Sequence, residues 1–163
     1  MDLEQLRDLS QPATLYVGDE VPGRCWPDAR VVYDLWLTKR GHRVAPARQD
    51  ISSQDLQSFL PQVSLFDVSL EPFSMRCRMM GTGFTRAVGF DATGHKVSEY
   101  QGTEMMIERA KWLATHVQPM LLLNAPMIWS AKDYKLFDAL ILPLIDGQGV
   151  CNMIFYFDYF HAN

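Results

Sequence analysis

Histidines and cysteines are the residues of this sequence that could bind a metal or a haem. A haem needs an axial ligand, usually a histidine or a cysteine inside a pocket. His42 and His161 are predicted to be solvated, His95 follows a turn, and His116 lies off the apolar face of a predicted helix. Three cysteines are present, an odd number without metal-ligand spacing: Cys25, Cys77 and Cys151. We therefore expect reduced thiols, surface histidines and no haem.

Nucleotide-binding and hydrolase motifs are incomplete in this chain. Gly81-Thr82-Gly83 resembles the start of a dinucleotide-binding loop, but Arg86 stands where the third glycine would fall. The segment is better explained as a tight strand-to-helix turn. Asp133 and Asp138 are five residues apart in or beside a predicted strand, so they point to opposite sides. No nucleophile with a neighbouring base is indicated.

Nine methionines suggest either an ordinary core or a deformable apolar pocket. Residues of the segment Phe73–Met80 alternate between apolar and polar, which selects one strand face as buried. Helical spacing selects Met106 on a later helix. The predicted pocket is lined by Met75, Cys77, Met79, Phe84, Met106 and Trp129.

Periodicity and turn residues predict the elements that must position these side chains. Helices are predicted over Asp28–Arg40, from Ser52, within Gly81–Gly89 and over Thr103–Gln118. Strands are predicted over Val63–Ser69, Phe73–Met80, Met127–Ser130, Lys135–Ile145 and Cys151–Phe160. Pro143 is expected at a bulge or near a strand end, because it cannot donate to the ladder. This order predicts an α+β fold, with a five-stranded antiparallel sheet, helices on one face and an N-terminal flanking helix.

The length of the chain indicates a single domain, and its composition is that of a globular protein. The 163 residues carry a net charge of −4, which argues against a broad nucleic-acid footprint. Residues 1–27 are expected to be a poorly ordered or loosely docked leader, and residues 28–163 a single domain. The N-terminus lacks the features of a signal peptide, and the apolar runs are too short to span a membrane. A cytoplasmic protein without membrane contact is therefore expected.

Several short motifs, taken in their order, resemble one family. They are Trp36, Arg48-Gln49-Asp50-Ile51, Leu60-Pro61, Leu65-Phe66-Asp67-Val68, Arg76-Cys77-Arg78-Met79-Met80-Gly81-Thr82, Gly89-Phe90-Asp91-Ala92-Thr93-Gly94 and Leu140-Ile141-Leu142-Pro143-Leu144. Together they resemble the stand-alone bacterial PAS proteins, found mostly in alphaproteobacteria. The resemblance covers about residues 31 to 157 and implies a PAS-like fold in a sensory or protein-interaction module.

The resemblance does not imply one cofactor, because PAS domains bind many ligands and some bind none. Light-sensing PAS domains form a covalent flavin adduct through a cysteine in an Asn-Cys-Arg-Phe-type helix. The matching segment here, Gly83-Phe84-Thr85-Arg86-Ala87, has no cysteine. A covalent flavin is therefore not expected.

Three hypotheses for function follow. The first is a non-enzymatic signal-transduction module that binds a small apolar ligand, a partner protein, or both, with contact to a signalling protein as its output. The second is a small enzyme of the isomerase or cyclase type, for which Asp67 is the one candidate acid. The third is a ligand-free structural dimerisation module.

A homodimer is expected through the helix Asp28–Arg40. Val32, Leu35 and Trp36 form an apolar stripe on this helix. The stripe could instead fold back on the chain's own sheet. In a dimer, Trp36 would be the anchor, because buried aromatic side chains dominate interface energies.

Overall fold

A six-stranded antiparallel sheet is the centre of the computed structural model, which describes residues 1–128 and 136–161. In chain order the strands are β1 (Thr14–Val17), β2 (Val63–Leu70), β3 (Phe73–Met80), β4 (Met120–Pro126), β5 (Leu136–Ile145) and β6 (Cys151–Phe160). Their spatial order is β1-β4-β5-β6-β2-β3, and every neighbouring pair is antiparallel. The predicted α+β class is confirmed, with one strand more than expected.

Helices cover both faces of this sheet. They are α1 (Leu3–Ser10), α2 (Pro27–Arg40), α3 (Ser53–Leu56), α4 (Thr82–Val88) and α5 (Glu104–His116). We call the face under α1, α4 and α5 the pocket face; its buried residues include Phe66, Cys77, Leu122, Ile141 and Tyr156. We call the face under α2 and α3 the rear face; its buried residues include Leu65, Leu121, Leu140, Phe155 and Phe157. Over the described ranges, no helix is both long and apolar enough to cross a membrane.

The first 27 residues are docked onto the domain, contrary to the expected loose leader. Helix α1 starts with a capping box in which Asp2 accepts from the backbone N–H of Gln5 at 2.9 Å. Leu6 is buried on the pocket face, and β1 adds to the edge of β4 with Leu15 and Val17 buried. These apolar contacts fix residues 1–27 on the domain, although the Pro and Gly residues scattered through this segment had predicted poor order.

Helix α2 packs on the rear face of its own sheet, so its apolar stripe is not a free surface. Val32 and Trp36 are 2% and 1% exposed, and Leu35 is half-buried. The indole Nε1 of Trp36 donates to the backbone carbonyl of Pro143 at 2.9 Å. The dimer surface predicted at these three residues is therefore wrong, because the sheet of the same chain already covers them.

Strand β4 lies earlier in the chain than the predicted strand Met127–Ser130, whose last two residues fall outside the described ranges. Leu121 and Leu122 are both buried, on opposite faces of a sheet that is covered on both sides. Such a strand shows no alternation, which is why the pattern missed it.

Pro143 lies beyond the end of the β4–β5 pairing, as expected for a residue that has no backbone N–H to donate. The β4–β5 pairing stops at Ile141, and the β5–β6 register shifts between Leu144 and Ile145. Pro143 therefore has no ladder bond to β4 to lose.

Gly81 holds the connection between β3 and α4 where no larger residue fits. Its N–H donates to the carbonyl of Val63 at 2.8 Å. A Cβ at this position would lie 2.4 Å from the carbonyl oxygen of Pro61 and 2.6 Å from those of Leu60 and Val63. These are backbone atoms, so relief of the clash requires the chain itself to shift.

We expect Gly81→Ala to lower the free energy of unfolding by about 1–3 kcal/mol, the usual cost of overpacking. Urea denaturation followed by circular dichroism measures this loss. Gly147→Ala is the matched control, because a Cβ at Gly147 meets nothing within 4 Å. Equal stability of the two variants would show that a Cβ at position 81 fits between the surrounding carbonyl oxygens without a clash.

Candidate functional site

Two small cavities lie between helices α4 and α5 and the pocket face of the sheet. The outer cavity has a volume of about 30 Å³. Its lining is apolar apart from Thr103 and the phenol of Tyr100: Phe66, Met80, Phe84, Phe90, Ala92, Val97, Tyr100, Thr103 and Met106. The Thr103 hydroxyl already donates to the carbonyls of Val97 and Tyr100. The outer cavity therefore suits an apolar group.

The inner cavity, of about 20 Å³, is different in character. Its lining combines apolar residues with three that can ionise: Phe84, Met106, Arg109, Leu122, Phe137, Ala139, Ile141, Tyr156 and Asp158. Phe84 and Met106 line both cavities and therefore form the wall between them. Each cavity has room for about one water molecule.

The predicted pocket residues fall into three groups. Phe84 and Met106 line the cavities. Met75 and Cys77 are buried in the core of the pocket face but do not line either cavity. Met79 packs against the rear face, and Trp129 lies outside the described residues.

A β-bulge explains why Met79 is on the wrong side. Leu65 pairs with Met79 but Phe66 pairs with Cys77, so Arg78 is an extra residue in β3. One extra residue reverses which side chains face inward. Beyond the bulge Met80, not Met79, reaches the outer cavity. Strict alternation over Phe73–Met80 had predicted the opposite.

Tyr156 and Asp158 are the functional residues that sequence reasoning missed. Both are buried on β6, and neither the Tyr156 hydroxyl nor Asp158 Oδ1 has a hydrogen-bond partner among the described residues. Burial raises the pKa of both groups, that of Asp158 well above its ordinary value, with nearby Asp138 adding to the effect. Burial therefore favours the protonated form of both groups, in which each can donate a hydrogen bond into the inner cavity. The sequence signal was present: Asp158 shares the strand face of Ile154 and Tyr156.

Arg109 brings a positive charge to the same cavity from α5. Its Nε donates to the hydroxyl of Ser10 at 3.1 Å, and that hydroxyl donates to the carbonyl of Leu6 at 2.7 Å. Burial lowers the pKa of its half-buried guanidinium. In the described part of the chain, no carboxylate forms an ion pair with it.

Other residues considered for chemistry lie away from these cavities. Asp67 is at the surface, where Arg78 Nε donates to its carboxylate at 2.8 Å. His95 is exposed beside Glu99, and His116 stacks on Trp112 with ring centroids 4.0 Å apart. Asp133 lies outside the described ranges. Among the residues described, no three His, Cys, Asp or Glu side chains are grouped to hold a metal ion.

All three thiols are predicted to be unreactive in the folded protein. Burial raises the pKa of Cys25, Cys77 and Cys151 to about 11 in each case. Because the thiolate is the nucleophile, we expect alkylation by iodoacetamide at pH 8 to be at least about tenfold slower than for an unperturbed thiol. Mass spectrometry of timed reactions, with urea-unfolded protein as the reference, measures this. Modification of the native protein at the unfolded rate would contradict the burial of these thiols.

The fold and the pocket define a class of protein. In this class, central helices and one face of an antiparallel sheet enclose a small internal cavity. A family model described as PAS domain matches residues 26–152. Since that match covers most of the chain, the protein belongs to the PAS domain family. The resemblance to a PAS domain stated from the motifs is thereby confirmed.

Among the solved structures that are similar to this chain are two light-oxygen-voltage proteins. A light-oxygen-voltage domain studied with a flavin analogue superposes with a TM-score of 0.53 and 15% identity, over 68% of this chain and 84% of that chain. An RNA-binding light-oxygen-voltage receptor superposes with a TM-score of 0.49 and 10% identity, over 71% of this chain and 36% of that chain. A search of curated proteins gives no match.

Proposed function

We propose that this protein is a non-enzymatic sensory PAS module that responds to a small molecule entering between α4, α5 and the sheet. The observation that carries the proposal is the pair of cavities that share Phe84 and Met106 in their linings. Membership of the PAS domain family supports a sensory role. The output is contact with a signalling protein.

The wall between the cavities provides a physical response to ligand. Phe84 is 1% exposed and packs edge-on against Phe160 at 5.2 Å between ring centroids. Met106 is half-buried on α5, and an unbranched methionine side chain can change rotamer at low cost. A ligand larger than one water must displace these side chains, and this displacement can shift α4 or α5 against the sheet. A ligand that binds one packing better than another shifts the population toward it.

Family membership favours this proposal over the isomerase or cyclase hypothesis. Tyr156 and Asp158 are buried groups whose pKa burial raises, as such an enzyme would need. Asp67, the acid first considered for that role, is partly exposed and accepts a hydrogen bond from Arg78 Nε at 2.8 Å.

Toluene is a suitable probe of the pocket because it is small and apolar. With protein labelled at the methionine methyl carbons, we expect toluene to shift the nuclear magnetic resonance signals of Met80 and Met106. Met1, which is 57% exposed, serves as the internal reference. Ala92 is buried and lines the outer cavity, so Ala92→Val fills the space and should abolish the shifts. Unchanged Met80 and Met106 signals in the wild-type protein would contradict the proposal.

A further inference from the structure

Two unpartnered oxygens and a guanidinium line the inner cavity. The Tyr156 hydroxyl and Asp158 Oδ1 are buried without a partner among the described residues, and the half-buried Arg109 lines the same space. Buried polar groups are hydrogen-bonded in nearly all proteins. A water could satisfy the two oxygens, but the guanidinium beside them favours an anionic ligand.

We infer that the inner cavity binds the carboxylate of a small organic acid, with Arg109 as its charged partner and Tyr156 and Asp158 as additional donors. The inference rests on the proposed function and names its ligand class. A carboxylate accepts several hydrogen bonds and pairs well with a guanidinium. Each donor comes from a rigid element, since Arg109 is on α5 and the other two are on the central strand β6.

The apolar part of the acid can extend toward the outer cavity. Phe84 and Met106 line both cavities, and the lining of the outer one is almost wholly apolar. A ring or short chain that displaces these two side chains would occupy the outer cavity while its carboxylate remains at Arg109. The ligand is thus a small monocarboxylic acid with an apolar body.

Residues outside the family match build much of this site. The match ends at residue 152, so Tyr156 and Asp158 lie beyond it. Ser10, which holds the guanidinium through Nε, lies before the start of the match at residue 26. Arg109, Phe84 and Met106 lie within the match.

Benzoate and toluene form a matched pair of probes, because they share the ring and differ in the carboxylate. In the methionine-methyl titration, we expect benzoate to bind at least about tenfold more tightly than toluene, as one charge-assisted hydrogen bond provides. Arg109→Met should weaken benzoate binding about tenfold and leave toluene binding unchanged. Tyr156→Phe removes one hydroxyl and should weaken benzoate severalfold, which gives a second test should Arg109→Met fail to fold.

A control variant separates charge at the site from general effects. Arg30→Met removes an exposed charge on α2, on the opposite face of the sheet, and should have no effect. Equal affinity for the two probes, or full benzoate affinity in Arg109→Met, would overturn the acid site while the apolar pocket stands. Binding of neither probe would overturn both.

Discussion

Trp36→Ala is expected to destabilise the folded domain by about 3–5 kcal/mol, the usual cost of removing a buried large aromatic side chain. The side chain is 1% exposed on the rear face. Its ring packs 5.8 Å from that of Tyr33, and the Arg40 guanidinium lies 5.6 Å from its centroid. The substitution also leaves the Pro143 carbonyl without its indole donor. Urea denaturation measures the change.

Two further variants divide this effect into its parts. Trp36→Phe keeps most of the packing and removes the hydrogen bond, so about 1–3 kcal/mol should be lost. Val31→Ala, on the same helix at 54% exposure, should change the stability by less than about 0.5 kcal/mol. If Trp36→Ala kept wild-type stability and instead dissociated a dimer, the packing of α2 on its own sheet would be wrong.

Asp158→Asn is expected to stabilise the domain increasingly as the pH rises from 4 to 7. Because burial raises the pKa of this carboxyl, the folded chain keeps its proton at pH values where the unfolded chain loses it. The unfolded state then binds fewer protons, so the free energy of unfolding falls with pH by up to about 1.4 kcal/mol per unit. Asparagine has the shape of the neutral acid and cannot ionise. The variant should therefore avoid this loss.

The gain from Asp158→Asn should be near zero at pH 4 and grow toward pH 7. The charged or titratable groups around the site are Tyr156, Arg109 and Asp138, and Asp138 is paired with His161. Thermal or urea unfolding at each pH measures the difference. Asp34→Asn, an exposed carboxyl on α2, is the control and should show no growing gain. Parallel stability curves for wild type and Asp158→Asn would show that Asp158 is ionised in the folded protein.

Much of the fold was predictable because most elements carry an unambiguous local pattern. Strand β6 lies at Cys151–Phe160 and β3 at Phe73–Met80, as predicted. Helix α3 begins after Ser52, where a helix was predicted to start, and the Ser52 hydroxyl accepts from the N–H of Asp55 in a capping box. Such patterns depend only on residues close together in the chain, so a single sequence is enough to recognise them.

Other features depend on tertiary contacts that no local pattern encodes. The extra residue Arg78 changes the inward face within β3, and only the register with β2 reveals it. The docking of Leu6 and Leu15 depends on α5 and β4, which lie about a hundred residues later. The dimer surface predicted at Val32, Leu35 and Trp36 was wrong for the same reason, because these residues pack on the chain's own sheet.

The candidate site was predictable only on its apolar side. Phe84 and Met106 follow from helical spacing and the position of the strand-to-helix turn. Tyr156 and Asp158 appeared on a strand face that looked polar. That face is buried because β6 lies between β5 and β2 and is covered by helices on both sides.

Native mass spectrometry of freshly purified protein tests most directly whether this PAS domain holds a small molecule. The account predicts a folded chain with the mass of one bound organic acid, which is released on unfolding and is absent from Arg109→Met. Benzoate added to the wild-type protein is the positive control. It should be detected as an adduct, which shows that the conditions preserve such complexes. A bare chain in every preparation, under conditions that retain a reference protein–ligand complex, would contradict the account.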